Sequence, residues 1–349
     1  MLRFFSGNPL TRGILSLLYR PRKNLNVNCF GHSYKHPFGN AAGLDKRAEA
    51  LRGWEAIGLS FIEIGGVTEH EQGGNPKPRM FRATSSRSLV NRMGFNNPGS
   101  QKVASKLASH FSRHGSPNIP LWANLGKSKI TPLDEAPSDY ASTMDRLWNY
   151  CDTFVINVSS PNTPNLRELQ HDDALEAVIK ACQDVNLRHA NESDSSLKPL
   201  LIKIAPDVTD EQLSAIVATA RSAGCDGIIA TNTTIERPKD YPKSEEKVFS
   251  QTGGLSGAPL SSRSTNVIHQ IYSMTNGEWP IVGVGGILSA DDAWEKIGAG
   301  ASLLQAYSGF VFEGPALSKS IVHGVEKKLR EHGFNNIEEA VGFSHRSND

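Results

Sequence analysis

The sequence lacks an excess of either charge, closely spaced cysteines and long apolar runs. In a chain of 349 residues, 37 basic and 36 acidic side chains leave a formal net charge of +1. This balance argues against a general attraction to nucleic acid. The four cysteines are scattered and form no Cys-x-x-Cys pair, so we predict reduced buried thiols and neither a disulfide framework nor a metal site.

Two further absences concern membranes and secretion. No apolar run reaches the roughly 18–20 residues that a membrane span needs. The first residues have no small-residue cleavage site of a secretory signal. We therefore expect an intracellular chain.

What the sequence does contain is an alternation of short apolar stretches with helix-like stretches. Eight strands are predicted to end near residues 41–43, 61–65, 121–125, 154–158, 200–204, 227–231, 281–284 and 303–306. Most are apolar throughout, as strands buried on both faces should be. Capping residues in 206–211 and 289–292 predict the starts of two helices. The alternation predicts a (β/α)8 TIM barrel, with an open doubly wound sheet as the alternative.

Several connections between the predicted elements are unusual. Those at residues 157–172 and 232–259 are longer than a barrel requires, and barrels keep their active sites in loops at the carboxyl ends of strands. Residues 27–39 predict a two-stranded plug under the barrel. The polar stretch 189–198 predicts a solvated connection.

Polar residues follow the ends of the predicted strands, namely Lys46, Asn124, Asn157, Lys203, Thr231, Asn232 and Thr233. The glycine-rich turn 283–286, with Tyr307 and Ser308 after the last strand, suits a phosphate held by backbone N–H groups. Glycine also serves tight turns for conformational reasons alone, so this turn is a weak signal by itself.

Lys203 and four asparagines indicate the kind of ligand. Lys203 either extends from its apolar strand into water or meets an acceptor, such as an anionic flavin ring or a carbonyl that forms a Schiff base. Asn91, Asn157, Asn162 and Asn232 match a small ring in which C=O and N–H alternate, although each could instead cap a turn.

The N-terminal stretch NPLTRGILSLLYRPRK predicts a short amphipathic helix with Asn8 as its cap and Pro9 as its first residue. Its apolar face consists of Leu10, Ile14, Leu17 and Leu18. The basic residues around that face are Arg12, Arg20, Arg22 and Lys23. Such a helix can lie in a membrane interface or pack on the barrel. The pattern leaves both possibilities open.

Eight longer motifs resemble those of dihydroorotate dehydrogenases, in particular the membrane-associated, quinone-using class 2 enzymes. They are NAAGLDK (40–46), GNPKPRMFR (74–82), NRMGFNN (91–97), NVSSPNTPNLR (157–167), IKIAPD (202–207), IATNTT (229–234), QTGGLSGAPL (251–260) and VGVGGI (282–287). The similarity runs in order from about residue 26 to about residue 330.

The resemblance implies an FMN-containing (β/α)8 barrel that oxidises (S)-dihydroorotate to orotate in pyrimidine biosynthesis. One non-covalent FMN per subunit would contact Ala42, Gly43, Lys46, Gly66, Asn124, Asn157, Lys203, Thr231, Gly257, Gly286, Tyr307 and Ser308. Orotate would contact Lys46, Asn91, Arg92, Met93, Gly94, Phe95, Asn157, Asn162, Asn232 and Thr233. The resemblance makes Ser160 the catalytic base, where class 1 relatives carry cysteine. The residues alone favour a serine that only shapes the turn before Pro161.

The resemblance also implies a monomer that passes electrons to ubiquinone or menaquinone, with Arg82 and Tyr307 on the quinone side. Residues 1–24 would contact the inner membrane peripherally, on the cytoplasmic face in a bacterium or in the mitochondrion of a eukaryote. Residues 25–335 would form the FMN-binding barrel and residues 336–349 a tail.

Two features depart from the class 2 pattern. The chain is expected to begin after the first of two N-terminal helices, so the quinone contacts of that helix cannot be carried over. Gly66 stands where relatives often have Thr or Ser, so one flavin contact would be lost.

Three rival functions share parts of the pattern. A flavin barrel such as a dihydrouridine synthase would need a basic surface for RNA, which the net charge disfavours. An aldolase could use Lys203 as a Schiff base without flavin. A barrel that only binds FMN is disfavoured by Ser160, which stands in an intact motif.

Overall fold

The computed structural model describes residues 2–163, 166–170 and 172–346. Its strands are β1 (Val27–Cys29), β2 (His32–Tyr34), β3 (Phe38–Asn40), β4 (Ile62–Val67), β5 (Met80–Ala83), β6 (Ser88–Asn91), β7 (Leu121–Leu125), β8 (Thr153–Asn157), β9 (Leu200–Lys203), β10 (Gly227–Ala230), β11 (Gly254–Gly257), β12 (Ile281–Val284) and β13 (Ala301–Ala306). Its helices are α1 (Leu2–Gly7), α2 (Pro9–Tyr19), α3 (Leu51–Ala56), α4 (Ser100–His114), α5 (Ala136–Leu147), α6 (Asp172–Ser193), α7 (Asp210–Ser222), α8 (Glu246–Phe249), α9 (Ser261–Met274), α10 (Ala290–Ala299), α11 (Ser308–Glu313), α12 (Leu317–Glu331), α13 (Ile337–Ala340) and α14 (Phe343–Arg346).

Eight strands close into a parallel barrel in the order β3-β4-β7-β8-β9-β10-β12-β13. The pairing of β13 with β3 completes the ring. Seven of the eight are buried at every residue, because the barrel interior covers one face and the surrounding helices cover the other. The predicted TIM barrel is confirmed, and the open sheet is excluded. The first barrel strand, β3, ends at Asn40, slightly before the predicted end at residues 41–43.

Capping side chains begin the helices where the sequence predicts them. Thr209 and Gln212 form a reciprocal capping box at the start of α7, and Ser289 does the same with Asp292 at the start of α10. Each box satisfies backbone donors that the first helical turn leaves without partners. The four cysteines are free and buried, which confirms the prediction of buried thiols.

The predicted plug under the barrel is the antiparallel hairpin of β1 and β2. Its turn residue Phe30 packs edge-on against Trp122 of β7, with ring centroids 6.0 Å apart. Tyr34 packs against Phe61 in the same way at 5.5 Å. These rings cover the amino-terminal end of the barrel.

The prediction of a solvated connection at residues 189–198 is partly wrong, because α6 continues to Ser193. Tertiary contacts hold its last turns. The His189 ring stacks on Trp148 with centroids 4.9 Å apart, and its Nε2 lies 2.7 Å from a carboxylate oxygen of Asp145.

A three-stranded antiparallel sheet, in the order β11-β6-β5, was not predicted. It joins the segment after β4 to the long connection after β10. Asn91 of β6 pairs with Gly254 of β11, so the two segments are held together at the mouth of the barrel.

Two helices precede the barrel, so the expectation that the first is missing is wrong. The short helix α1 packs on α3, where a Cβ at Gly53 would lie 3.2 Å from Leu2. As predicted, Asn8 caps α2 by accepting from the N–H of Leu10 at 2.8 Å, and Pro9 is its first residue. Among the described residues, no helix has the length and apolar character of a membrane span.

Candidate active site

A cavity opens at the carboxyl ends of the barrel strands. Its lining includes all the predicted cofactor contacts: Ala42, Gly43, Lys46, Gly66, Asn124, Asn157, Lys203, Thr231, Gly257, Gly286, Tyr307 and Ser308. It also includes Ser160 and most of the predicted substrate contacts: Asn91, Met93, Gly94, Phe95, Asn162, Asn232 and Thr233. The residues come from many strand ends, which only barrel closure brings together.

Arg92 is the predicted substrate contact that does not line this cavity. Its guanidinium donates to Oε1 of Gln251 at 2.9 Å and to the carbonyl of Pro78 at 3.1 Å. It also lies over the ring of Phe81, 4.7 Å from the centroid. Arg92 therefore braces the small sheet beside the site, and its side chain is directed away from the cavity.

A buried carboxylate, Glu63 of β4, organises the floor of the cavity and was missed from the sequence. It is fully buried. Its Oε1 accepts from the amide of Asn124 at 2.7 Å, and its Oε2 accepts from the amide of Gln305 at 2.6 Å and from the N–H of Ala42 at 3.3 Å. Single polar residues inside apolar strands, such as Glu63 and Gln305, were the available signal.

The carboxylate sets the orientation of the amides above it. Because Glu63 only accepts, Asn124 must direct its NH2 group downward and its oxygen towards Asn157, which donates to it at 2.9 Å. The Asn157 oxygen then accepts from the hydroxyl of Ser159 at 2.9 Å. Asn232 donates to Ser159 Oγ at 3.0 Å. The chain fixes which atoms each asparagine presents to a ligand.

Two lysines bring positive charge to the cavity. Lys203 is only 4% exposed, and within the described residues its ammonium has no hydrogen bond or ion pair. Burial, together with the nearby charge of Arg79, lowers the pKa of Lys46 to about 8. A buried ammonium without a protein partner is costly. These two groups therefore fit an anionic or electron-rich ligand.

The turn after β12 and the start of α11 offer backbone donors. In the described part of the chain, the N–H groups of Gly286, Ser308 and Gly309 donate no hydrogen bond. Gly286 has a φ of +72°, and a Cβ there would lie 2.8 Å from the backbone nitrogen of Ser261. Glycine is thus required, and its backbone stays open to an approaching phosphate.

Ser160 lies on the wall of the cavity and is 8% exposed. Its hydroxyl oxygen accepts from the N–H of Asn162 at 3.3 Å, and Asn162 donates to the side-chain oxygen of Asn91 at 3.3 Å. Within the described residues, no histidine or carboxylate forms a hydrogen bond with Ser160. A proton taken up by this hydroxyl must therefore pass to a ligand, a water molecule or another hydroxyl.

Arg167 anchors the loop that carries Ser160. It donates to the carbonyl of Ser159 at 3.1 Å, to the carboxylate of Asp207 at 2.9 Å and to the carbonyl of Thr233 at 3.2 Å. The loop is therefore tied to the ends of two neighbouring strands. Pro164 of the motif NVSSPNTPNLR, whose ring would limit the loop's conformations, lies outside the described residues.

Gly66 shows how the chain accommodates its departure from the family pattern. A Cβ at Gly66 would lie 2.6 Å from ring atoms of Phe95 and 3.2 Å from Oδ1 of Asn124. The Phe95 ring therefore occupies the space that a side chain at this position would need. A Gly66→Ser change would require Phe95 to move.

An apolar slot lies between the N-terminal helices and the barrel. Its lining is Leu2, Phe5, Thr11, Ile14, Leu15, Leu18, Tyr19, Leu44, Trp54, Phe310, Val311, Gly314 and Pro315. Two residues of its lining, Leu44 and Phe310, directly follow the cavity residues Gly43 and Gly309 in the chain. Arg82 and Tyr307, which were assigned to the quinone side, do not line the slot.

The chain is similar to known proteins along most of its length. The family model for dihydroorotate dehydrogenase matches residues 24–329. A dihydroorotate dehydrogenase (quinone) of Gloeobacter violaceus is 47% identical over 322 residues, covering 92% of this chain and 86% of that protein. The protein of the same name from Streptomyces avermitilis is 43% identical, covering 98% and 91%. The crystal structure of DHODH from Eimeria tenella in complex with ferulenol is 35% identical, with a TM-score of 0.87, covering 97% and 96%.

Proposed function

This chain belongs to the dihydroorotate dehydrogenase family, and we propose that Ser160 is the base that takes a proton from its substrate. The family reaction is the oxidation of dihydroorotate to orotate in pyrimidine synthesis, and in the quinone-dependent class a quinone accepts the electrons. Family membership sets aside the aldolase, the dihydrouridine synthase and the simple FMN-binding barrel.

The observation that carries this proposal is the position of Ser160 on the same cavity as Lys46, Lys203 and the ordered asparagines. A serine hydroxyl is a weak base at neutral pH. It can act only where the substrate is held against it and the proton can move on. The burial of the site and its hydrogen-bonded asparagines supply the first condition, a substrate held against the hydroxyl. The second requires a water molecule or a hydroxyl as the next acceptor.

The substrate would be held by its carboxylate and by its ring amides. Lys46 provides the charge for the carboxylate. Asn91, Asn162 and Asn232 provide donors and acceptors for the ring. Because hydrogen bonds within the site already fix the orientation of these asparagines, binding would not require them to reorganise.

FMN would occupy the deeper part of the same cavity and supplies the acceptor for the hydride. The family is generally flavin-dependent, and the residues fit the group. The backbone donors at Gly286 and Ser308 suit its single phosphate. Lys203 would pair with the electron-rich edge of its ring, since that ammonium has no other partner among the described residues. We assign one non-covalent FMN to each subunit.

Denaturing the purified protein should therefore release a yellow chromophore that carries one phosphate. Absorbance of the supernatant and mass spectrometry measure this. The Arg92→Gln variant should also keep its FMN. Arg92 belongs to the NRMGFNN motif, but its side chain lies outside the cavity. A colourless preparation that FMN cannot reconstitute would show that the cofactor assignment is wrong.

Quinone would reach the flavin through the apolar slot between α1, α2 and the barrel. Quinone-dependent members of the family are peripheral membrane enzymes. Leu10 and Leu17 of α2 are 73% and 66% exposed, so the helix offers an apolar face to a bilayer. We therefore propose a monomer held peripherally at the inner membrane, on the cytoplasmic face in a bacterium.

Deleting residues 1–23 should slow quinone reduction and leave flavin reduction by dihydroorotate intact. The reason is that the deletion removes one wall of the slot and none of the cavity lining. Stopped-flow measurement of the two half-reactions separates the effects. Fumarate and NAD should accept electrons poorly from either form.

Two point variants control for loss of folding in the deletion. Leu15→Trp should narrow the slot and slow quinone reduction, whereas Leu17→Trp, on the outward face of the same helix, should not. Equal loss of both half-reactions in the deletion, with no effect of Leu15→Trp, would show that the helices only support the fold.

A further inference from the structure

A second, basic pocket lies on the side of α2 opposite the apolar slot. Its basic lining residues are Arg12 of α2, Arg20 directly after the end of α2, Arg52 of α3, and His110 and His114 of α4. Glu55 is the one acidic residue among the described residues that line it. With both histidines neutral, three guanidinium groups face one carboxylate, so the pocket carries a net positive charge.

The guanidinium groups of Arg12 and Arg52 are close enough to repel each other, since the charge of Arg12 lowers the pKa of Arg52. Neutral His114 accepts a hydrogen bond at Nδ1 from a guanidinium N–H of Arg52 at 3.3 Å, and the ring centroids of His110 and His114 are 5.0 Å apart. Desolvation lowers the pKa of Arg52, and Arg12 lowers it further. The pKa of His114 is lowered by desolvation and then by Arg52 and Arg113.

The carboxylate of this lining, Glu55, is already engaged. The Glu55 carboxylate accepts from the backbone N–H of Asn118 at 2.8 Å and from its side-chain amide at 3.2 Å. It therefore neutralises only part of the charge. An anion in the pocket would relieve the remaining repulsion and would accept from guanidinium groups, which suit phosphate oxygens.

The position of the pocket on α2 indicates where such an anion comes from. Residues Arg12, Ser16 and Arg20 follow one another at helical spacing and form one face. Leu10 and Leu17 project from the outward face between this basic side and the slot. A bilayer that contacts the leucines would place its headgroup phosphates at the level of the arginines.

We propose that this pocket binds the phosphate of an anionic phospholipid whose acyl chains lie against Leu10 and Leu17. The lipid would orient α2 so that the mouth of the slot faces the membrane interior. This inference rests on the membrane contact proposed above. A free phosphate has the same headgroup chemistry but would gain nothing from the leucines.

The test is sedimentation with vesicles of phosphatidylcholine alone and of phosphatidylcholine with phosphatidylglycerol. The parent protein should bind the anionic vesicles more tightly. Each of Arg20→Gln and Arg52→Gln should reduce that preference about fivefold, the usual scale for one basic residue at an anionic membrane surface. Binding to phosphatidylcholine alone should change little. Thermal melting of each variant verifies its fold.

Two matched controls remove the same charge elsewhere. Arg22→Gln lies just beyond α2 but outside the pocket, and Lys180→Gln lies on the exposed face of α6; both should keep most of the preference. If Arg22→Gln lowers the preference as much as Arg52→Gln, the attraction is a general surface potential and the pocket proposal is wrong.

Two further outcomes separate the proposals. If the parent binds neither kind of vesicle, the proposed membrane contact itself fails. If it binds both kinds equally, the membrane contact stands and the headgroup pocket fails. Inorganic phosphate at the concentration of the lipid headgroups should leave vesicle binding intact. If phosphate abolishes the preference, the pocket is a site for a free anion.

Discussion

Replacing Ser160 with alanine should slow flavin reduction by dihydroorotate by about two to four orders of magnitude, the usual scale for loss of a positioned base. FMN and orotate should still bind, because Lys46 and the asparagines of the cavity do not depend on this hydroxyl. Ser160 accepts only from the N–H of Asn162 among the described residues, so its removal disturbs little else. The loss should therefore appear in the chemical step.

Anaerobic stopped-flow measurement of flavin bleaching at saturating dihydroorotate follows that step directly. The wild-type rate should rise with pH, because a hydroxyl that must pass a proton onward loses it more readily in base. Substrate affinity should show the opposite trend. The pKa of Lys46 is lowered to about 8, so above that pH the lysine loses the charge that attracts a carboxylate.

The neighbouring serine provides a matched control. Ser159 lies in the same loop, but its hydroxyl bonds to Asn157 and Asn232 within the site. Ser159→Ala should lower the rate of flavin bleaching only a few-fold, because Asn157 and Asn232 would each lose one hydrogen bond that fixes their orientation. Ser160→Cys should keep part of the rate, since a thiol has a pKa of about 8.5. If Ser160→Ala bleaches within a few-fold of wild type, the base lies elsewhere.

Replacing Lys203 with methionine should reduce the rate of flavin bleaching by about two to three orders of magnitude, the scale for loss of one preorganised charged donor in a closed site. Methionine keeps the length and apolar contacts of the side chain but removes the charge. The FMN content after purification should also fall. The ammonium is buried and has no partner in the described residues, so a bound ring is its best-placed acceptor.

A second buried lysine tests whether this effect is specific. Lys127 follows β7, is 3% exposed, and donates to the carbonyl of Ser128 at 2.8 Å. It does not line the cavity. Lys127→Met should lower thermal stability yet leave FMN content and bleaching close to wild type. If Lys203→Met behaves like Lys127→Met, the charge of Lys203 serves the fold and not the cofactor.

Much of the fold follows from local patterns in the sequence. Strands buried on both faces must be apolar throughout, so the eight barrel strands are visible as short apolar runs. Capping is also local, and for that reason Asn8, Thr209 and Ser289 mark the starts of their helices in advance. Most of the candidate site came from a different source, the resemblance of eight motifs to a known family.

Contacts between distant segments were not predictable in this way. The sheet of β5, β6 and β11 forms because the chain after β4 meets the chain after β10, and neither segment carries a strong strand pattern alone. The last turns of α6 are held by Trp148 and Asp145, so the polar composition of residues 189–198 was misleading. Arg92 shares a motif with cavity residues, but its partners lie in the sheet.

What the sequence by itself determined is the barrel, its plug and the set of polar residues at the strand ends, because periodicity and capping act over a few residues. Only the tertiary structure decided how those polar groups work together. Glu63 is one acidic residue in an apolar strand until barrel closure brings Asn124 and Gln305 within hydrogen-bond distance of it. The carboxylate of Glu63 then sets the orientation of each asparagine amide above it. The sequence alone cannot give this orientation, because it depends on residues far apart in the chain that pack around one buried charge.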